Sequence, residues 1–383
     1  MRKILASAIA ISLLSFNSAA ELPTEETMQI ETLPAEYPKD WIFVHDVSFY
    51  ALTEGKVVIL DLAAKTLNYK GLISASVFGN FIQSEKTHKL YTGESFYARS
   101  TRGARTDAIT EWDPATLKPV DEIILPGNER AQAVAEKNAL QFVDDEKYML
   151  IFKFSPAVKV GIIKTDTKEI LNDIDIPGCS LIYPTGKRGF SSLCADGTMV
   201  SIQFDEAGQV VSEHKVDAFF DPDSDPLFEK TAVIDGIAYF PSFKGQMQPI
   251  DLTGSVAKPM KAWSLVTEAE RAQNWRPGGW QVISGDGKSL VYVLMHKDGY
   301  NGSHKDSAQE LWVFDVHTKK KVKSIPLLNG GISVEVTRSA NPLLAIINNE
   351  MRVDVYSADT GKFTHSLSIG GPSVVPLVMH AAK

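Results

Sequence analysis

The stretch Leu311-Trp312-Val313-Phe314-Asp315, followed by Thr318, decides how this chain folds. A β-branched and aromatic run stops at a turn-forming residue, and a second strand-like run follows. The pattern occurs six more times, at Val57-Val58-Ile59-Leu60-Asp61, Ile109-Thr110-Glu111-Trp112-Asp113, Val160-Gly161-Ile162-Ile163-Lys164, Ser201-Ile202-Gln203-Phe204-Asp205, Met247-Gln248-Pro249-Ile250-Asp251 and Val353-Asp354-Val355-Tyr356-Ser357. Most units continue three residues later with Thr or Gly, at Thr116, Thr167, Gly208, Gly254 and Thr360. The closing positions 61, 113, 164, 205, 251, 315 and 357 lie 52, 51, 41, 46, 64 and 42 residues apart. One unit per roughly 50 residues is the period of propeller blades. The expected fold is therefore all-β, a seven-bladed β-propeller over residues 37–383.

Working outward, further runs fill the gaps: Trp41-Ile42-Phe43-Val44, Tyr148-Met149-Leu150-Ile151-Phe152, Leu290-Val291-Tyr292-Val293-Leu294 and Leu343-Leu344-Ala345-Ile346-Ile347. Asp196-Gly197, Asp235-Gly236 and Asp286-Gly287 suit tight hairpins between them. No composition break divides the region. A radial repeat accommodates its length, because each blade packs only on its neighbours. The longest interval, 64 residues, contains Thr267-Glu268-Ala269-Glu270-Arg271-Ala272-Gln273-Asn274. A Thr cap and early acids predict a short helical insertion near 266–274.

Residues 1–20 carry Arg2 and Lys3, an apolar core from Ile4 to Leu14, and the small residues Ser18-Ala19-Ala20. That order predicts a secretory signal peptide rather than an N-terminal helix, with a core too short to span a bilayer. Cleavage would take the formal charge from −8 to −10. Such a surface repels phosphate backbones, so nucleic acid is not an expected partner. Residues 21–36 hold Glu21, Glu25, Glu26, Glu31 and Glu36 with few apolar residues. They read as an acidic N-terminal arm, either a disordered leader or a segment that orders against a partner. No later stretch approaches 18 apolar residues, so no membrane span is expected. The two cysteines, Cys179 and Cys194, are expected to bridge in an oxidising compartment, around a hairpin turning at Pro184, Gly186 and Gly189. Two unpaired core thiols are the alternative.

No Gly-x-Ser-x-Gly elbow, phosphate loop or dinucleotide fingerprint appears. His296 and His304, with Asp298 or Asp306, read either as metal ligands or as a solvated hairpin loop. Asp144-Asp145-Glu146 and the set Asp221, Asp223, Asp225 lack EF-hand spacing and read as exposed turns ahead of Ca²⁺ sites. Arg99, Arg102 and Arg105 form a basic cluster on an acidic protein. It could meet an acidic partner or belong to an internal salt-bridge network. Phe49-Tyr50 stand together near a strand end, as core packing or as a pocket wall.

Longer words in one order then carry a resemblance. Arg99-x-x-Arg102-Gly103-x-Arg105-Thr106-Asp107 is followed by Glu111-Trp112-Asp113-Pro114-Ala115-Thr116-Leu117, then Phe154-Ser155-Pro156-Ala157 and Val160-Gly161-Ile162. Leu265-x-x-Glu268-x-x-Arg271-x-x-x-Trp275-Arg276-Pro277-Gly278-Gly279-Trp280 comes later. Over residues 37–375 the chain resembles the heavy chain of quinoprotein amine dehydrogenases, the methylamine and aromatic amine dehydrogenases. Met295-His296-x-Asp298-Gly299-x-x-Gly302-x-His304-Lys305 is more similar to the aromatic-amine branch.

The resemblance implies a periplasmic seven-bladed heavy chain joined to a small light chain in an α2β2 heterotetramer. The light chain, dense in disulfides, would carry tryptophan tryptophylquinone, leaving no cofactor, metal or catalytic residue on this chain. The quinone would take electrons from a primary amine by a Schiff-base route, releasing aldehyde and ammonia. Electrons would pass to a blue-copper protein, amicyanin or azurin. In the family a heavy-chain Phe lines the substrate channel, and the local pattern sets it at Phe49. Tyr50 stands where methylamine-type chains carry Ala, which leaves the preference among methylamine, longer aliphatic and aromatic amines open. The acidic arm would wrap the partner. The alternatives are a stand-alone periplasmic scaffold without redox activity and a propeller hydrolase with axial Ca²⁺.

Overall fold

The computed structural model describes residues 32–132, 135–371 and 373–383. The signal peptide expected at 1–20 and the arm up to residue 31 lie outside the described residues. Leu33–Lys383 forms one unit. Its seven antiparallel sheets, of four or five strands each, are the blades of a ring.

Blade 1 closes that ring. Its innermost strand is the C-terminal Pro376–Ala381, paired with Trp41–Asp46, then Lys56–Asp61 and Tyr69–Ser74. Blade 2 runs from Asn80–Gln83 through Leu90–Arg99 and Arg102–Trp112 to Pro119–Leu125. Blades 3, 4, 5 and 7 begin innermost at Leu140–Val143, Cys179–Pro184, Ala232–Ile234 and Ser333–Val336. Blade 6 has Ile283–Gly285 innermost, then Leu290–His296, Ala308–Asp315 and Lys320–Gly331.

Each of the seven sequence units is the third strand of its blade. In six blades this strand carries a register shift against the fourth strand one to two positions before the turn residue, at Ile59/Leu60, Glu111/Trp112, Ile162/Ile163, Gln203/Phe204, Val313/Phe314 and Val355/Tyr356. A bulge there increases local twist just where the strand must turn. Where the turn residue is Asp, it caps its own turn. Asp113 Oδ1 accepts from the backbone N–H and hydroxyl of Thr116, both at 2.7 Å, and Asp315 Oδ1 from the N–H of Thr318 at 2.7 Å. Those bonds hold both carboxyls below the usual carboxylate range.

The core lies between blades. Ile42, Val44, Val58 and Leu60 of blade 1 pack on Ala345, Ile347, Val353 and Val355 of blade 7, all fully buried. Each such Val, Leu or Ile side chain contributes about 1.5–3 kcal/mol by leaving water. Outermost strands are wet, as in Val210–Val216.

The predicted insertion is a helix over Glu268–Ala272. Thr267 accepts from Glu270 N at 3.3 Å, and Glu270 Oε2 accepts from Thr267 N at 2.7 Å, a reciprocal cap. The chain returns through Trp275, whose ring lies 4.9 Å from that of Trp312. Among the described residues no helix is long and apolar enough to cross a membrane. Cys179 and Cys194 stand directly opposite in the inner strand pair of blade 4 and are bonded, with S–S 2.02 Å. The free-thiol alternative is thereby excluded.

Candidate functional site

Strands alternate in direction, so the loops between second and third strands share one face of the ring with the blade-to-blade connections. Phe49 and Tyr50 lie on that face, between the second and third strands of blade 1. The preceding strand ends at the buried Asp46, whose Oδ1 accepts from Ser48 N at 2.9 Å and Val375 N at 2.8 Å; Lys56 Nζ reaches Oδ2 at 2.8 Å. Ser48 takes φ 47°, which turns the chain outward. Phe49 is 47 % exposed and Tyr50 81 %. The core-packing reading of this pair is therefore corrected: the aromatics stand on the surface.

Phe49 rests on Phe78, with ring centroids 5.5 Å apart and planes at 68°. Phe78 belongs to the connection from blade 1 to blade 2. It packs on a buried apolar cluster of Val47, Ala135, Leu377 and Val378, with Trp280 and Val375 partly buried beside it.

Residues 39–379 match the family described as methylamine dehydrogenase heavy chain (MADH). The chain belongs to the methylamine dehydrogenase heavy-chain family. It is 27 % identical to the methylamine dehydrogenase heavy chain of Methylobacillus flagellatus over 371 residues, covering 95 % of this chain and 91 % of the relative. It is 27 % identical to that of Methylorubrum extorquens, covering 87 % and 82 %, and 26 % identical to that of Paracoccus versutus, covering 87 % and 78 %. A solved structure described as dihydro-heme d1 dehydrogenase NirN in complex with DHE superposes with TM-score 0.52 at 15 % identity, over 91 % of this chain and 78 % of that one. That likeness concerns the fold alone.

Other residues singled out in this heavy-chain family member separate. Arg105 is internal: its guanidinium is bidentate to Asp107 at 2.8 Å for both bonds. Arg99 and Arg102 face each other, exposed, at the tip of the long blade 2 hairpin. The third strand of this blade starts at Arg102, well before the apolar run that signalled it. His296 is buried against Gly278, where a Cβ would come within 2.6 Å of His296 Cδ2. Burial pushes its imidazole below the ordinary histidine range. His304 instead lines a cleft of about 640 Å³ between blades 5 and 6, edge-on to Phe243 at 6.2 Å, where Arg276 stacks on the same ring at 4.8 Å.

Most of the carboxylates singled out bond to protein partners, while Asp223 is exposed at the cleft. Asp221 Oδ1 accepts from Asp223 N at 2.9 Å and Ser224 N at 3.1 Å, and Asp144 accepts from Arg188 Nε at 2.9 Å. Among the described residues no group of three or more His, Cys, Asp or Glu converges as a metal site would require.

Two features were not singled out from the sequence. Arg130 is buried at 1 % exposure beneath the Phe78 turn, and Lys137 pairs with Glu335 in the axial channel. A basic residue inside a blade-to-blade connection was the available signal.

Proposed function

We propose that this chain is the heavy subunit of a periplasmic tryptophan tryptophylquinone amine dehydrogenase, and that Phe49 and Tyr50 line its substrate channel. The observation that carries this reading is the family match from residue 39 to 379, which spans the propeller with the exposed aromatic pair inside it. When bound, the quinone of the light chain supplies the two-electron oxidation of a primary amine to aldehyde and ammonia.

This chain's own part is binding the light chain and walling the channel through which amine and the water consumed in aldehyde release pass. Phe49 and Tyr50 are large apolar surfaces left wet on the subunit by itself, which suits a face that a light chain covers. Phe49 is held from below by Phe78, so it forms a firm wall rather than a free rotor. Tyr50 adds bulk at the same edge. Both cysteines are joined to each other, which fits a heavy chain whose disulfide-dense light chain is another polypeptide. Two copies of each form the α2β2 assembly. The segment 1–20 exports the chain, and electrons leave for a small blue-copper protein, amicyanin or azurin.

The test is co-expression with the light chain, capture through a tag on this chain, and a panel of methylamine, longer aliphatic and aromatic amines. Co-purification with amine-dependent aldehyde release is expected. Capture of this chain alone, with no activity from any combination, would favour the non-redox scaffold.

A further inference from the structure

We propose that Arg130 is a positioning residue for the amine channel: its guanidinium fixes the Ser76–Gly79 turn so that Phe78 stands beneath Phe49, and Phe78 thereby becomes a second determinant of which amines pass. This rests on the channel reading of that face.

Three consecutive carbonyls of the turn point inward to one fork. Arg130 Nη2 donates to Val77 O at 2.6 Å and Ser76 O at 3.4 Å, and Nη1 donates to Phe78 O at 3.0 Å. The remaining donors go to Ser95 Oγ and Ala131 O. Arginine suits this task because its planar fork presents five N–H groups in fixed directions.

The turn needs holding. Val77 and Phe78 take φ 55° and 50°, a left-handed conformation that β-branched and bulky residues rarely adopt. A Cβ at Gly79 would lie 2.6 Å from Ala75 O, so the reversal is tight. Glu94 adds a bond from Ser76 N at 3.1 Å, and Ser76 Oγ donates to Ser95 O at 2.9 Å.

The turn in turn carries the Phe49 loop. Val77 N donates to Leu52 O at 2.7 Å and Ala75 N to Gly55 O at 2.8 Å, tying residues 52–55 to it. The edge-to-face contact at 5.5 Å completes the chain from guanidinium to channel wall. Asp107 is already taken bidentately by Arg105 and accepts from Arg130 only at the backbone N–H, at 2.9 Å. The Arg130 guanidinium thus donates to the carbonyls of this turn, Ser95 Oγ and Ala131 O rather than to a carboxylate partner.

The experiment uses the co-expressed heterotetramer with Phe78→Ala, Arg130→Gln or Arg130→Lys. It measures kcat/KM for methylamine and for a bulky aromatic amine, with hydrogen exchange of the 75–79 segment in the same proteins. Phe78→Ala and Arg130→Gln should shift the ratio of the two kcat/KM values in one direction, by roughly ten-fold, the scale on which a pocket contact discriminates. Arg130→Gln should also deprotect 75–79, and Arg130→Lys, which keeps the charge but not the planar fork, should recover only part of both. A lowered melting temperature with ratio and exchange unchanged would make Arg130 a structural residue only and overturn the proposal. Should Arg130→Gln not fold, an unchanged ratio in Phe78→Ala would overturn it equally. A wild-type heterotetramer that oxidises no amine would remove the channel reading itself, while the exchange data still decide whether Arg130 holds the turn.

Discussion

Lys137 forms an ion pair with Glu335 across the axis of the ring, joining the entry of blade 3 to the innermost strand of blade 7. The Glu335 carboxylate also accepts from Ser284 Oγ at 2.7 Å and Gln281 Nε2 at 3.1 Å, and Gln281 Oε1 accepts from Met379 N at 2.8 Å. Blades 1, 3, 6 and 7 are thereby stitched at their inner edges.

Replacing Lys137 by Met removes the cation and leaves Glu335 buried. Because Lys137 is 30 % exposed at its side chain, the cost should be about 2 kcal/mol, below that of breaking a wholly buried pair. Urea denaturation measures it. The double variant Lys137→Met/Glu335→Leu should lose less than Lys137→Met alone, since no charge is stranded. Equal losses would show that the pair is not the source.

The disulfide offers a second stability test. Cys179 and Cys194 close a loop with a sequence separation of 15, for which chain entropy predicts about 3 kcal/mol. Cys179→Ser/Cys194→Ser should melt several degrees lower. Amine oxidation by the assembled enzyme should persist at permissive temperature, because blade 4 carries neither Phe49 nor Phe78. An unchanged melting temperature would mean that the strand pairing alone holds this edge.

Acid should weaken the fold through buried histidines. His45 is 1 % exposed, and burial lowers its pKa from 6.5 to about 4. Its folded-state pKa is depressed, so its contribution is fully present above pH 6.5 and is lost as pH falls towards 4, the interval in which the unfolded chain binds the proton and the folded chain does not. The loss should reach about 3 kcal/mol. His380, also pushed well down by burial with Lys137 nearby, acts in the same direction. Urea midpoints at several pH values should fall across that window, and His45→Asn should flatten the slope. A parallel slope in the variant would assign the acid sensitivity elsewhere.

Phe49→Ala should change the kcat/KM ratio between small and aromatic amines in the assembled enzyme without a comparable fall in melting temperature, because a side chain 47 % exposed contributes little burial to the subunit. An amine panel beside a thermal scan separates the two effects. An unchanged ratio would take Phe49 out of the channel.

The features legible in the sequence were those whose physics is local. The seven apolar runs announced seven third strands because a buried strand needs consecutive β-branched and aromatic residues and is followed by a turn-forming residue, as at Asp113 before Thr116 and Asp315 before Thr318. The reciprocal Thr267–Glu270 cap and the Cys179–Cys194 hairpin were local in the same sense. Long-range chemistry was not legible. Arg130 binds Ser95 and Phe78, 35 and 52 residues earlier, and Lys137 meets Glu335 198 residues later. The Phe49-Tyr50 pair would suit a core equally well. Only the outward turn at Ser48, set by the Asp46 bonds, puts it on the surface.

One measurement addresses the division of labour between two polypeptides directly: visible absorbance and amine-dependent dye reduction of this chain purified alone and purified with its light chain. The chain alone should be colourless and inactive, and the pair should show both quinone absorbance and turnover. Quinone absorbance or amine oxidation by the single chain would contradict the account.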